Sequence, residues 1–281
     1  MSENLGILTS GGDAAGMNAA VKCAVEYARL RGVKPYLVFD GLRGLIDAEI
    51  RPADEVDLSG ILHRGGTMLR TRRSKRFYEY EHRKQAAANL AQLGIGRLIV
   101  IGGDGSFRAL NQFYSDFGVP FIGIPATIDN DIPGTDYCLG VDTALNVIAQ
   151  ALDSLRDTAA SMRRAFVVEV MGRECGYLAM VSSLACGAEI CIVPEIEYDL
   201  EAMTNRMRER VAVQQRSVFA IVAEGTQMAT YLDRWLNETI GIESRLTVLG
   251  HVQRGGAPTV YDRIMADRFV VSAVDALRAA L

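Results

Sequence analysis

Short, uninterrupted apolar runs recur along this chain, each followed by a longer stretch with helical spacing, and this alternation restricts the fold more than any other feature of the sequence. The runs at 4–9, 35–39, 97–101, 120–124, 165–171, 190–193, 217–223 and 246–249 read as strands. A strand that is apolar at every position, not at every second one, is buried on both faces. Helical spacing falls at 16–31, 106–117, 141–156, 177–185, 200–214, 231–240 and 261–281. Strand–helix–strand rhythm joins parallel strands by helical crossovers, so the expected fold class is α/β with mostly parallel sheets covered on both sides.

The 281 residues, 49% hydrophobic and 23% charged, suffice for two domains with sizeable cores. Glycine is frequent (27) and proline rare (7), which suits tight glycine turns between strands and helices. A net charge of −4 gives no basic field for nucleic acid or an anionic membrane, and neither is expected as a partner. No apolar stretch approaches the length of a membrane span, and residues 5–8 open on a strand without a basic leader, so neither a membrane segment nor a signal peptide is expected. Cys23, Cys138, Cys175, Cys186 and Cys191 form no C-x-x-C pair; reduced, mostly buried thiols in a cytoplasmic protein are the expectation.

Six strand ends carry polar motifs. TSGGDAAGMN at 9–18 links a strand to a helix; its glycines let backbone N–H groups approach a phosphate, and a purely structural turn is the alternative. GGDGS at 102–106 lies at the same kind of junction, where Asp104 suits Mg²⁺ or simply caps the helix. PATIDND at 125–131 places Asp129 and Asp131 two residues apart, expected to point the same way in an extended segment, so that one takes a proton while the other orients its neighbours. A turn role is the alternative there. VMGR at 170–173, AEG at 223–225 and GHVQRGG at 250–256 add Arg173, Glu224, His251 and Arg254, a set suited to the phosphate and hydroxyls of a sugar phosphate, each of which could singly be a surface group.

Taken together, in this order and spacing, the six segments resemble the bacterial ATP-dependent 6-phosphofructokinase family, and the resemblance runs from Gly6 to about Ser272. It implies two Rossmann-like three-layer domains with the active site in the interdomain cleft. The larger, ATP-binding domain is expected at 1–140 plus 252–281, and the smaller, sugar-phosphate-binding domain at 141–251. The implied reaction is transfer of the γ-phosphoryl group of Mg-ATP to the 1-hydroxyl of fructose 6-phosphate. By the resemblance Asp129 is the general base, supported by Thr127 and Asp131. Arg173 neutralises the moving phosphoryl group and Gly11 lies against the ATP phosphates. Asp104 binds Mg²⁺, and Arg73, Gly103, Gly105 and Ser106 line the nucleotide site. Met171, Gly172, Glu224, His251 and Arg254 hold the sugar phosphate, with Arg164 and Arg245 reaching across from a neighbouring subunit of a homodimer or homotetramer.

Pyrophosphate-using relatives carry an Asp and a Lys where this chain has Gly105 and Ala126, so the resemblance favours ATP; a pyrophosphate-dependent enzyme and a non-catalytic regulatory subunit are the alternatives. This chain departs from the family in its basic stretch at 70–76 (RTRRSKR), which either grips nucleotide phosphates or is a solvated loop. The family's effector site for ADP and phosphoenolpyruvate is also altered. Lys22, Arg156 and Glu189 are kept, but Glu26 and Glu55 stand where arginines are expected, and Gln215 and Ser217 where Lys and His are.

Overall fold

The computed structural model describes residues 4–72, 74–212 and 217–279; Arg73 and Gln215 lie outside the described residues. In chain order the first elements are β1 (Asn4–Ser10), α1 (Met17–Leu30), β2 (Lys34–Val38), α2 (Gly41–Ile46), β3 (Ile50–Pro52), α3 (Tyr80–Gln92), β4 (Ile95–Gly102), α4 (Asp104–Phe117) and β5 (Phe121–Pro125). There follow α5 (Val141–Met162), β6 (Ala165–Val170), α6 (Tyr177–Cys186), β7 (Ile190–Ile192), α7 (Leu200–Ala212), β8 (Val218–Ala223), α8 (Ala229–Trp235), β9 (Ser244–Val248) and α9 (Val260–Ala279). The chain divides into two compact units. One is Met1–Thr127, Asp131–Thr143 and Arg254–Leu281; the other is Ile128–Asn130 and Ala144–Gln253.

The first unit holds a sheet in the order β3-β2-β1-β4-β5. β1 is central and parallel to β2 and β4, with Leu8 level with Val38 on one side and Val100 on the other. These side chains join Leu45, Phe77, Leu90, Leu98, Leu110 and Phe113 in one core. Each fully buried Leu, Val or Phe contributes about 1.5–3 kcal/mol. The second unit holds a wholly parallel sheet, β7-β8-β6-β9. All six residues of β8 are buried, as the continuous apolar run requires of a strand covered on both faces. Val167, Ile192, Val218, Ala220, Val222, Leu232 and Trp235 share its core.

Several elements differ from the sequence expectation. Residues 41–92 hold α2, β3 and α3, none of them expected. α3 buries Arg83, Ala86, Asn89 and Leu90, so half of its inner face is polar and its periodicity is invisible to hydropathy. Arg83 is satisfied by Asp116 and by the carbonyls of Phe77 and Tyr78, and Asn89 by those of Leu45 and Ile46. β3 runs antiparallel to β2. α5 continues past residue 156 to Met162, through alanines that favour helix, and the chain then turns at Arg163 with φ 52°. α8 is regular only to Trp235, with a single π turn over Leu236–Ile240. The five cysteines are free thiols, but only Cys138 is buried and the other four are half-buried.

Candidate active site

Every motif lies at the carboxyl end of a strand. In the first unit β1 runs into the turn at 11–16, β4 into Gly103 and α4, and β5 into Ala126 and Thr127. Gly11 has φ 96°, and a Cβ there would sit 3.3 Å from the Ser106 hydroxyl and 3.7 Å from the Gly103 nitrogen. The two glycine turns are therefore packed backbone to backbone. The Ser106 hydroxyl is spent on Ser10 at 2.8 Å, which joins the turns at their base. Gly103 faces Thr127, whose Cβ lies 4.0 Å from where a Gly103 side chain would begin, and nothing lies within 4 Å of a Cβ placed on Gly105. The amino end of α4 thus presents open space at Gly105, and the amino end of a helix attracts anions.

Asp104 begins α4 and pairs with Arg108 at 2.8 Å. No group of three or more His, Cys, Asp or Glu side chains suited to a metal occurs among the described residues. One accessible carboxylate beside an anion-attracting turn nevertheless fits Mg²⁺ carried in on a nucleotide, since Mg²⁺ keeps most of its coordination for phosphate and water.

The same unit contains Arg254, whose guanidinium donates to the carbonyl of Asp13 at 3.2 Å. The sequence reading passed over the residue that makes this possible. A Cβ on Gly12 would lie 2.5 Å from Arg254 Nη1, so a side chain there would displace the end of the arginine from this position. Asp131 is exposed and Asp129 buried. The expectation that the two point the same way fails because Asn130 has φ 53°, a left-handed residue that breaks the alternation of an extended segment.

In the second unit Asp129, only 3% exposed, lies 4.0 Å from Arg173 Nε. Arg173 follows β6 and is itself left-handed, with φ 55° after Gly172 at 136°. Such a conformation in a non-glycine residue costs energy and persists where neighbours hold it. Glu224 holds it here by accepting the Arg173 N–H at 3.0 Å, and Gly225 has no side chain to collide with the Arg173 carbonyl. The carboxyl of Glu169, on β6, is pushed above the usual range by burial and then by Glu224. Met171 is buried, and its N–H donates to Gln253 Oε1 at 3.1 Å, while the Gln253 amide donates to Gly250 at 2.9 Å. Gln253, 1% exposed, fixes the 250–254 turn against the end of β6 and was not among the expected site residues. His251 is exposed on that turn.

Arg164 and Arg245 are elsewhere. They enter β6 and β9 at the amino ends of the strands and both grip Glu243, at 2.9 and 2.6 Å. Six strand residues separate Arg164 from Met171, roughly 20 Å at the rise of a parallel strand. The structure therefore brings together Asp129, Arg173 and Glu224, keeps Met171 with Gln253, and sets Arg164 and Arg245 apart from both.

Residues 4–277 match the family described as "Phosphofructokinase". The chain is 54% identical over 276 residues to the ATP-dependent 6-phosphofructokinase of Sulfurimonas denitrificans, covering 98% of this chain and 86% of that protein. It is 53% identical over 274 residues to that of Wolinella succinogenes, covering 97% and 86%. Among solved structures, phosphofructokinase from Saccharomyces cerevisiae superposes with a TM-score of 0.92 at 35% identity over 97% of this chain; the chain spans only 41% of that longer one. Strand-end motifs, sheet order and full-length similarity agree, and the chain belongs to the phosphofructokinase family.

Proposed function

We infer that this phosphofructokinase transfers the γ-phosphoryl group of Mg-ATP to the 1-hydroxyl of fructose 6-phosphate, with the first unit taking the nucleotide and the second the sugar phosphate. The observation that carries the chemistry is the buried Asp129 beside Arg173. Asp129 accepts the proton of the attacking hydroxyl, and Arg173, whose side chain is 64% exposed, neutralises charge on the transferring group. Gly11, Gly103, Gly105 and Ser106 supply a backbone cradle for the nucleotide, and Arg73 is assigned to the same ligand. Asp104 holds the Mg²⁺ that arrives with ATP and offsets phosphate charge. Thr127 and Asp131 flank the base, and Met171, Gly172, Glu224, His251 and Arg254 bind the sugar phosphate. Positioning and charge neutralisation, not a covalent intermediate, supply the rate.

The active unit is at least a dimer. Arg164 and Arg245 stand at the wrong end of their own sheet to meet a sugar phosphate held by Arg173, so their use as phosphate ligands requires a second copy of the chain. No helix among the described residues is long and apolar enough to cross a membrane, and a cytoplasmic enzyme accords with the reaction. The open space at Gly105 and the buried Ala126 favour ATP over pyrophosphate as donor. A coupled assay with fructose 6-phosphate and either Mg-ATP or Mg-pyrophosphate tests the whole reading: turnover with ATP alone is expected. Turnover with pyrophosphate alone overturns the donor assignment, and none with either overturns the activity.

A further inference from the structure

We propose that Thr71 is a positioning residue that locks the peptide plane between Gly11 and Gly12, an inference that rests on reading this turn as the cradle for the ATP phosphates. The Thr71 hydroxyl donates to the Gly11 carbonyl at 2.7 Å. A trans peptide is flat, and its C=O and N–H point in opposite directions. Holding the Gly11 oxygen toward Thr71 therefore fixes the Gly12 N–H on the face away from it. Two successive glycines resist rotation of that plane less than any other pair, and Gly11 already has φ 96°. If the plane flips, a carbonyl oxygen replaces the N–H facing an anion, and attraction becomes repulsion.

The hydroxyl is delivered from a fixed backbone. Asn18, 3% exposed, donates to the carbonyls of Arg64 and Gly65 at 3.1 and 3.2 Å and accepts the Met68 N–H at 2.7 Å. Thr9 meets the Thr67 hydroxyl at 2.9 Å and donates to the Arg70 carbonyl at 3.2 Å. The Asp40 N–H donates to the Leu69 carbonyl at 2.8 Å. Residues 64–71 thus form a strap stitched along the turn it steadies. Thr71 is the stitch that reaches the glycine pair itself. Within the basic stretch, Arg70 and Arg76 pair with Asp40 and Asp47.

The test uses the full chain with Mg-ATP as the probe. Thr71→Val keeps the shape and β-branching and removes the donor. Calorimetry is expected to show the Kd for Mg-ATP rising roughly threefold to tenfold, the size of one neutral hydrogen bond. KM for fructose 6-phosphate should stay within about twofold of wild type, and Thr71→Ser should restore nucleotide affinity; the twofold allowance reflects ordinary context dependence of such effects. If the Val variant does not fold, Thr71→Ala is judged by the same measurements. An unchanged Kd, or a loss that serine does not restore, overturns the inference. Wild-type protein that binds Mg-ATP but does not phosphorylate fructose 6-phosphate overturns the functional reading and leaves Thr71 to be judged by the Kd series. Wild-type protein that binds no nucleotide overturns both.

Discussion

Arg254 donates to the carbonyl of Asp13 through the space that a side chain on Gly12 would fill. A residue assigned to the sugar phosphate is thereby seated on the turn assigned to the nucleotide. Gly12→Ala should push the flexible end of Arg254 aside without unfolding the chain. KM for fructose 6-phosphate should rise about tenfold or more, as the loss of one charge-assisted contact implies. Steady-state kinetics with a thermal melt check it; an unchanged KM would show that Arg254 does not serve the sugar.

Removing the base should affect rate far more than binding. Asp129→Ser is expected to lower kcat by about 10²–10⁴-fold with KM values close to wild type. Turnover within about threefold of wild type would exclude Asp129 as general base.

Arg164 and Arg245 predict complementation between subunits. Arg164→Ala and Asp129→Ser proteins should each be nearly inactive, and a refolded mixture should recover part of the wild-type rate through hybrid sites. A mixture no more active than its parents, or a fully active monomer by light scattering, contradicts sharing.

Asp262 predicts a stability effect. It is fully buried and accepts the N–H groups of Gly140 and Thr143 and the Thr143 hydroxyl. Asp262→Ala leaves three donors unpaired, at about 1–3 kcal/mol each before relaxation. Burial nevertheless holds the Asp262 carboxyl above its usual range despite these bonds. A carboxyl with a raised folded pKa contributes most below its unfolded value and loses that contribution as pH climbs through the folded one. The stability difference between wild type and variant should therefore narrow as pH rises from the ordinary aspartate value, then level off. Urea unfolding across that range measures it, and a difference that widens with pH refutes the sign.

Effector control is expected to be absent or nearly so. Lys22 is neutralised by Glu26 at 2.5 Å, Glu55 is exposed, and the Glu189 carboxylate is occupied by Arg210 and the Phe219 N–H. The Arg156 guanidinium lies over the Phe219 ring at 4.8 Å. Both effectors are anions, and two carboxylates where cations are needed repel them. Fructose 6-phosphate saturation with and without millimolar phosphoenolpyruvate decides it: superimposable curves are expected, and a sigmoidal rightward shift shows a working site.

The strand–helix alternation was legible because β1, β4, β6 and β8 are buried along most of their length on both faces and so are mainly apolar. α3 was not legible, because Arg83 and Asn89 face inward, where Asp116 and the carbonyls of Leu45 and Ile46, distant in sequence, are among their partners. At the site, the residue types at strand ends could be read directly. The backbone conditions could not: the left-handed Asn130 and Arg173, the void at Gly12 and the buried amide of Gln253 depend on contacts between segments far apart in the chain. Glycine next to glycine at 11–12 marks the void only once Arg254 is known to occupy it.

The antiparallel β3 ends the first sheet, and it is three residues long with Pro52 opposite Tyr36. Proline has no N–H to offer a further strand, and so short a border gives an incoming chain almost no ladder to extend. A sheet whose inner strands are as apolar as β1 and β4 would otherwise be a template for aggregation. The short strand, with the exposed charge of Arg51 at its centre, blunts that border, so a crowded solution of this protein can stay free of edge-to-edge fibres on that side.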